Sequence, residues 1–293
     1  MWASPSRPEK RRTVQSPTTT DLTGVAETTL WTLHHRAAEA ARKDTVLPDP
    51  QAVRLVAQVN FPFRQRLGRA KPWVAQTLAL RALAFDRVVR AFLSEHPEGT
   101  VIALGEGLET TFWRVDNGQV QWVSVDLADP LELRTLVLPR GRRQRHIPCD
   151  ISRDPDSRWM ELVDPSRGVL VTAQGLFMYL EAARVHKLIA ACAETFPGGS
   201  MVFDTVSHRF SARCRTGGKG PGGYRLPPMP WGMGPDGHRT LQAIHPAITE
   251  IRDIPLPAGR GLTGHVVSRA ASLPLLRSNR PLITNLHFRA APR

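Results

Sequence analysis

The chain has 293 residues, 41 % of them hydrophobic and only three of them cysteine, so it can bury a substantial core but lacks the cysteine pairs of a disulfide scaffold or thiolate zinc site. Its apolar runs, such as Val169 to Val171, fall far short of the roughly 20 residues that span a bilayer, and Met1 to Arg12 lacks the apolar stretch of a secretory signal, so a cytoplasmic protein without a membrane partner is expected. The 39 Lys and Arg against 26 Asp and Glu give a formal charge of +13, read first as general surface charge or anion steering; without zinc-finger spacing or aromatic interleaving, an acidic small molecule is favoured over nucleic acid as the partner.

Residues 1–20, rich in Ser, Pro, Thr and Arg, read as a flexible basic arm. A helix is predicted from Val25 to Arg42, with Leu30, Leu33 and Ala37 as its apolar stripe. Asp49-Pro50 reads as a helix start, because aspartate caps exposed amides and proline loses nothing at the first turn. A further helix is predicted from Pro72 to Leu93, and residues 21–95 together read as a helical cap packed on a core.

From Thr100 to Thr205 the rhythm changes. Apolar runs at Val101–Leu104, Val120–Val125, Val169–Ala173 and Met201–Phe203 alternate with helical stretches at Pro130–Leu138 and Glu181–Thr195. Buried strands alternating with helices predict an α/β, Rossmann-like fold with a mostly parallel sheet, completed by strands at Leu262–Val267 and Leu282–Phe288. Within this domain, residues 96–293, the Gly- and Pro-rich stretch at about 208–240 reads as a loop or lid insertion on the substrate side.

The chemistry concentrates at predicted strand ends. Gly105 and Gly107 follow the first strand and let the backbone turn closely around a ligand. Thr110 stands where a dinucleotide fingerprint has its third glycine; a sulfonium cofactor, which carries no pyrophosphate, has less need of that helix-end cradle. Asp126 ends the second strand 19 residues beyond Gly107, a suitable interval for accepting bonds from ribose hydroxyls. Asp150 and Ile151 are placed to meet an adenine, and Gln174 the amino-acid end of such a cofactor. Plainer roles stay open: a tight turn for the glycines, a helix cap for Asp126, core packing for Phe177 and Met178. Tyr179, with an apolar ring and a polar end, suits partial burial near an acceptor. Arg213, Arg215, Lys219 and Arg225 are candidate anion contacts and Trp231 a candidate aromatic wall; His208 and His245 are bases only if folding brings them to the acceptor, so no catalytic residue is assigned, and no metal site is read.

In order along the chain, RALAFDRVVRAFL from Arg81, IALGEGLETTFWRV from Ile102, VSVDL from Val123, AQGLFMYL from Ala173 and FPGGSMVFDTVS from Phe196 resemble the leucine carboxyl methyltransferase family, especially its bacterial branch of polyketide O-methyltransferases. The resemblance covers Leu22 to Ser207 and implies an S-adenosyl-L-methionine-dependent O-methyltransferase acting on a carboxylate or phenolic oxygen of a small acid. It implies that Arg81 holds the methionine carboxylate, that Gly105 and Gly107 give close backbone approach, that Asp126 binds ribose, and that Asp150 and Ile151 contact adenine. The chain departs from the family pattern at Glu109, where LGxGxDT has aspartate, at Thr111, where the bacterial branch commonly has arginine, and at Gln174, where a glutamate is usual. Glutamine hydrogen-bonds but carries no charge, which leaves open an enzyme that binds the cofactor without transferring methyl. A protein-carboxylate acceptor and a basic, non-enzymatic binding module are further alternatives.

Overall fold

A computed structural model describes residues 22–153, 158–220, 223–234, 236–261 and 282–291. The expected arm at 1–20 and the expected strand at 262–267 lie outside them.

The apolar stripe of the first predicted helix lies on α1 (Thr28–Ala40), where Leu30, Leu33 and Ala37 are all buried. Asp49 caps α2 (Pro50–Gln58) by accepting the Ala52 N–H at 3.0 Å. A short α3 (Phe63–Leu67), which sequence periodicity does not reach, precedes the 24-residue α4 (Pro72–Glu95).

The core alternates β1 (Thr100–Leu104), α5 (Thr111–Val115), β2 (Gln121–Asp126), α6 (Ala128–Val137), β3 (Gln144–Pro148), β4 (Val169–Ala173), α7 (Ala182–Thr195) and β5 (Ser200–Thr205). After these come α8 (His208–Arg213), a small hairpin of β6 (Gly218–Lys219) and β7 (Arg225–Leu226), α9 (Gly237–Gln242), β8 (Ile248–Ile254) and β9 (Leu282–Phe288). The main sheet runs β3-β2-β1-β4-β5-β9-β8. The pairings among β1 to β5 are parallel, and both pairings of β9 are antiparallel. This is a Rossmann-like sheet, and its strand order reverses between β1 and β4, where α/β proteins place their ligands.

Helices cover both faces. Val185, Leu188 and Ile189 of α7 pack on Ile102, Val171 and Phe203, while Phe85, Val89 and Leu93 of α4 pack on Val101, Ala103, Leu170 and Val202. Burying each such side chain contributes about 1.5–3 kcal/mol. A third cluster joins Leu30, Leu33, Leu55 and Phe63 of the N-terminal helices to Met178, Tyr224, Leu226 and Met229. It brings the two flanking segments of the sequence together, and both line the ground beside the strand ends.

Candidate cofactor and acceptor site

Parallel register aligns the ends of five strands. Leu104 pairs with Val125, Asp126 with Pro148, Ala103 with Thr172 and Ala173 with Phe203. Gly105, Asp126, Asp150, Gln174 and Asp204 therefore follow or end strands that lie side by side, about 4.8 Å apart.

At the end of β1 the backbone enters the left-handed region twice, at Gly105 (φ 58°) and Gly107 (φ 50°). Neither position has room for a side chain. A Cβ on Gly105 would stand 2.8 Å from Leu176 Cδ1, and one on Gly107 would stand 1.8 Å from Thr29 Oγ1. Thr29 belongs to α1, so that helix sits directly on the turn. The Gly107 N–H donates to Asp126 Oδ2 at 2.6 Å and the Leu127 N–H to Oδ1 at 2.7 Å. Burial raises the Asp126 carboxyl above its ordinary range, and these two donors oppose the rise. From α6, Arg134 donates to the carbonyls of Gly107 at 2.8 Å and Glu109 at 2.7 Å, and to the buried Glu106 carboxylate at 2.7 Å.

A buried ionic network fixes the same turn to the N-terminal helices α1, α2 and α4. Arg36 of α1 donates to Asp49 at 3.0 Å and to Glu109 at 2.7 Å. Arg114 of α5 grips both oxygens of Asp86 on α4, at 2.8 and 2.9 Å, and reaches Asp49 at 2.8 Å and Glu109 at 3.1 Å. Despite its burial, Glu109 is held down at about 2 by these two guanidinium groups.

Beyond β4, Gln174 Nε2 donates to Glu109 Oε2 at 2.9 Å. Arg81 of α4 lies over Gly175, whose added Cβ would be 3.1 Å from Nη1, and pairs with Asp204 at the end of β5 at 3.0 Å. Asp150 accepts the Ser152 N–H at 3.0 Å and keeps its side chain partly exposed; Ile151 is buried beside it.

These groups open onto one cavity of about 570 Å³. Arg81, Gly105, Asp126, Asp150, Ile151 and Gln174 all line it; Gly107 lies behind the lining, under Thr29. Among the described residues, five acids (Glu106, Glu109, Asp126, Asp150, Asp204) line it against two arginines, Arg81 and Arg153. A glycine turn with no tolerance for a Cβ, bordered by acids, fits a cationic adenosyl sulfonium better than a pyrophosphate.

The other end is apolar and aromatic. Val25, Trp31, Met178, Val206, Phe210, Leu226 and Met229 line it together with Tyr179 and Tyr224. Trp31 stacks on Tyr224, centroids 5.5 Å apart and planes 19° from parallel. Trp31 Nε1 and the Tyr224 hydroxyl are buried and find no partner among the described residues. Burial pushes Tyr179 up to about 12 and Tyr224 in the same direction, so both keep their protons at neutral pH.

The sequence-predicted acceptor residues divide. Tyr179 lines this end. Arg213, Arg215, Lys219 and Arg225 are exposed and lie outside the cavity wall, although Tyr224 and Leu226, on either side of Arg225, face it. Trp231 is buried with Phe177 and Phe203, centroids 6.0 and 6.1 Å away, and borders a separate hollow with His208. Its ring is spent on core packing because β5 and the turn after β4 enclose it. Neither His208 nor His245 lines the main cavity. Sequence reasoning missed Trp31, Tyr224, Asp204 and the Arg36–Asp49–Arg114 network.

A parallel sheet covered on both faces, with an acid-bordered glycine turn at its switch point, defines a Rossmann-like methyltransferase. The chain belongs to the leucine carboxyl methyltransferase family, whose model matches residues 29–193, and is an S-adenosyl-L-methionine-dependent enzyme. It is 31 % identical over 186 residues to the tetracenomycin polyketide synthesis O-methyltransferase TcmP of Streptomyces glaucescens, covering 63 % of this chain and 67 % of that one. It is 29 % identical over 191 residues to the S-adenosyl-L-methionine-dependent methyltransferase dpfgK of Gibberella zeae, covering 60 % and 62 %. Among solved structures, the N-methyltransferase NodS of Bradyrhizobium japonicum with S-adenosyl-L-homocysteine is similar at 13 % identity and a TM-score of 0.42, covering 89 % of this chain and 98 % of that one. Family membership sets aside the non-enzymatic binding module. Among the described residues, no helix is long and apolar enough to cross a membrane.

Proposed function

We propose that the enzyme methylates a carboxylate oxygen on a small aromatic, polyketide-like acid. The observation that carries this reading is an apolar chamber with neutral hydrogen-bond donors and no spare base. Among the described lining residues there is no histidine or lysine, and Glu106, Glu109, Asp126, Asp150 and Asp204 already accept bonds from the protein. A carboxylic acid arrives ionised near neutral pH and needs no base, whereas a phenol does.

The bound cofactor supplies a methyl group on positively charged sulfur. In this reading Asp126 accepts from its ribose, Asp150 and Ile151 meet its adenine, Arg81 holds its carboxylate, and Gly105 lets the backbone approach it, with Gly107 shaping the turn behind. Tyr179, Tyr224 and Trp31 orient the acceptor by hydrogen bonds to its oxygens, and the apolar wall excludes competing water. Arg213, Arg215 and Arg225 guide an anion toward the entrance rather than touch it. Resemblance to a named polyketide O-methyltransferase supports the acceptor class.

Incubation with methyl-labelled cofactor and a panel of aromatic acids and phenols tests the reading. Label released as methanol by mild alkali marks an ester and supports it. Alkali-stable label marks an ether and replaces it with the phenolic reading. Tyr224→Phe is expected to lower kcat/KM for the acceptor about 5- to 10-fold through one lost hydrogen bond, with S-adenosylhomocysteine affinity unchanged by calorimetry.

A further inference from the structure

Glu109 uses its two oxygens differently. Oε1 receives Arg36 at 2.7 Å, Arg114 at 3.1 Å and the Thr110 N–H at 2.9 Å. Among the described residues, Oε2 receives only the Gln174 amide, at 2.9 Å. An ionised carboxylate is acceptor-only, so it dictates which end of the amide faces it: the NH2 must turn to Glu109 and the carbonyl oxygen away. Gln174 Oε1 accepts nothing from the described residues, and Gln174 and Glu109 both border the cavity beside Arg81 and Gly175.

We infer that Glu109 and Gln174 form one binding unit for the cofactor's ammonium group, with Gln174 Oε1 accepting the ammonium proton in front and the Glu109 carboxylate supplying the negative charge behind. Glu109 is the positioning residue and Gln174 the contact. The unit explains how the site holds a cation without an acid at position 174. Its carboxylate stands one residue deeper, where Arg36 and Arg114 keep it ionised, and the amide passes its polarity forward. A glutamate at position 174 would face Glu109 across a contact distance, and one of the two would have to take a proton, as like charges at such separations do. The inference rests on the proposed lie of the cofactor along the strand ends, with its amino-acid end at β4.

Calorimetry with two ligands separates the outcomes: S-adenosylhomocysteine carries the ammonium group, and 5′-methylthioadenosine lacks the whole amino-acid end. Gln174→Leu is expected to weaken S-adenosylhomocysteine about 10-fold or more and to leave methylthioadenosine within about twofold. Gln174→Glu is expected to bind S-adenosylhomocysteine more weakly than the wild type, with affinity that depends on pH through the shared proton. The swapped pair, Glu109→Gln with Gln174→Glu, is expected to return to within about threefold of the wild type. Thermal melting of each ligand-free variant reports folding separately; if Glu109→Gln alone does not fold, the two position-174 variants still decide. Tighter S-adenosylhomocysteine binding by Gln174→Glu, or equal loss of both ligands in Gln174→Leu, overturns the inference. A folded wild type that binds neither ligand overturns instead the proposed cofactor placement.

Discussion

At the residue scale, Asp126 has two duties that pull in the same direction. It receives the Gly107 and Leu127 amides, fixing the turn, and it borders the cavity with lone pairs left over. Asp126→Ala should therefore weaken both S-adenosylhomocysteine and methylthioadenosine, since both carry the ribose. The loss of charge-assisted bonds is about 1.5–3 kcal/mol, or roughly 10- to 150-fold in calorimetric affinity. Unchanged affinity for either ligand would remove its proposed role. Glu109 makes a different, pH-dependent prediction. Its pKa falls from 4.5 in the unfolded chain to about 2 in the folded one, so its stabilisation is complete above 4.5 and is lost as pH falls towards 2. In urea unfolding, the stability gap between wild type and Glu109→Gln should be constant near neutrality and close through that acid window. A gap that persists at the acid end would contradict ion pairing as its source. The strand-end positions of Asp126 and Gln174 were legible because each ends or follows a recognisable strand. The long-range contacts of the network around Glu109 were not: Arg36 lies 73 positions from it and Asp49 meets Arg114 across 65, so no local spacing signals them. The Trp31–Tyr224 pair is hidden for the same reason.

At the element scale, burial decided what could be read. The interior strands β1, β4 and β5 are buried at every position, and their largely apolar runs announce them. Leu282–Phe288 was read correctly because β9 also lies inside the sheet, between β5 and β8. The two strands at the sheet edges, β3 and β8, were missed. Their solvent sides admit Arg145 in one and Glu250, Arg252 and Asp253 in the other, which blurs the pattern. The N-terminal helices were visible from their stripes and caps, but not the seat they take. That seat is testable through Gly107, where the turn meets α1. Gly107→Ala forces an alanine to φ 50° and drives its Cβ into Thr29. Backbone strain alone is about 1–3 kcal/mol, and the clash adds to it. Thr29→Ala removes the hydroxyl in the way, so the double variant should recover part of the loss in urea denaturation while the φ penalty remains. Strict additivity of the two substitutions would mean that α1 does not rest on the turn.

At the scale of the whole molecule, the charge is arranged in opposition: a chain of net charge +13 encloses a cavity bordered by more acids than bases. A positively charged cofactor is repelled at long range and attracted only inside, whereas an anionic acceptor is drawn in from a distance. The exposed Arg213, Arg215 and Arg225 sit on the segment that also supplies Phe210, Tyr224 and Leu226 to the chamber. Replacing all three by alanine should then slow capture of an acidic acceptor without altering the binding site. The screening length is about 30 Å at 0.01 M salt, about 10 Å at 0.1 M and about 3 Å at 1 M. Hence kcat/KM for an anionic acceptor should fall with salt in the wild type, by up to about 10-fold where capture limits the rate. In the triple variant it should start lower and fall less, the two curves meeting at high salt, while S-adenosylhomocysteine affinity stays the same in both. A constant ratio between the variants at every salt concentration would mean direct contact with the acceptor, placing those arginines in the chamber rather than at its approach.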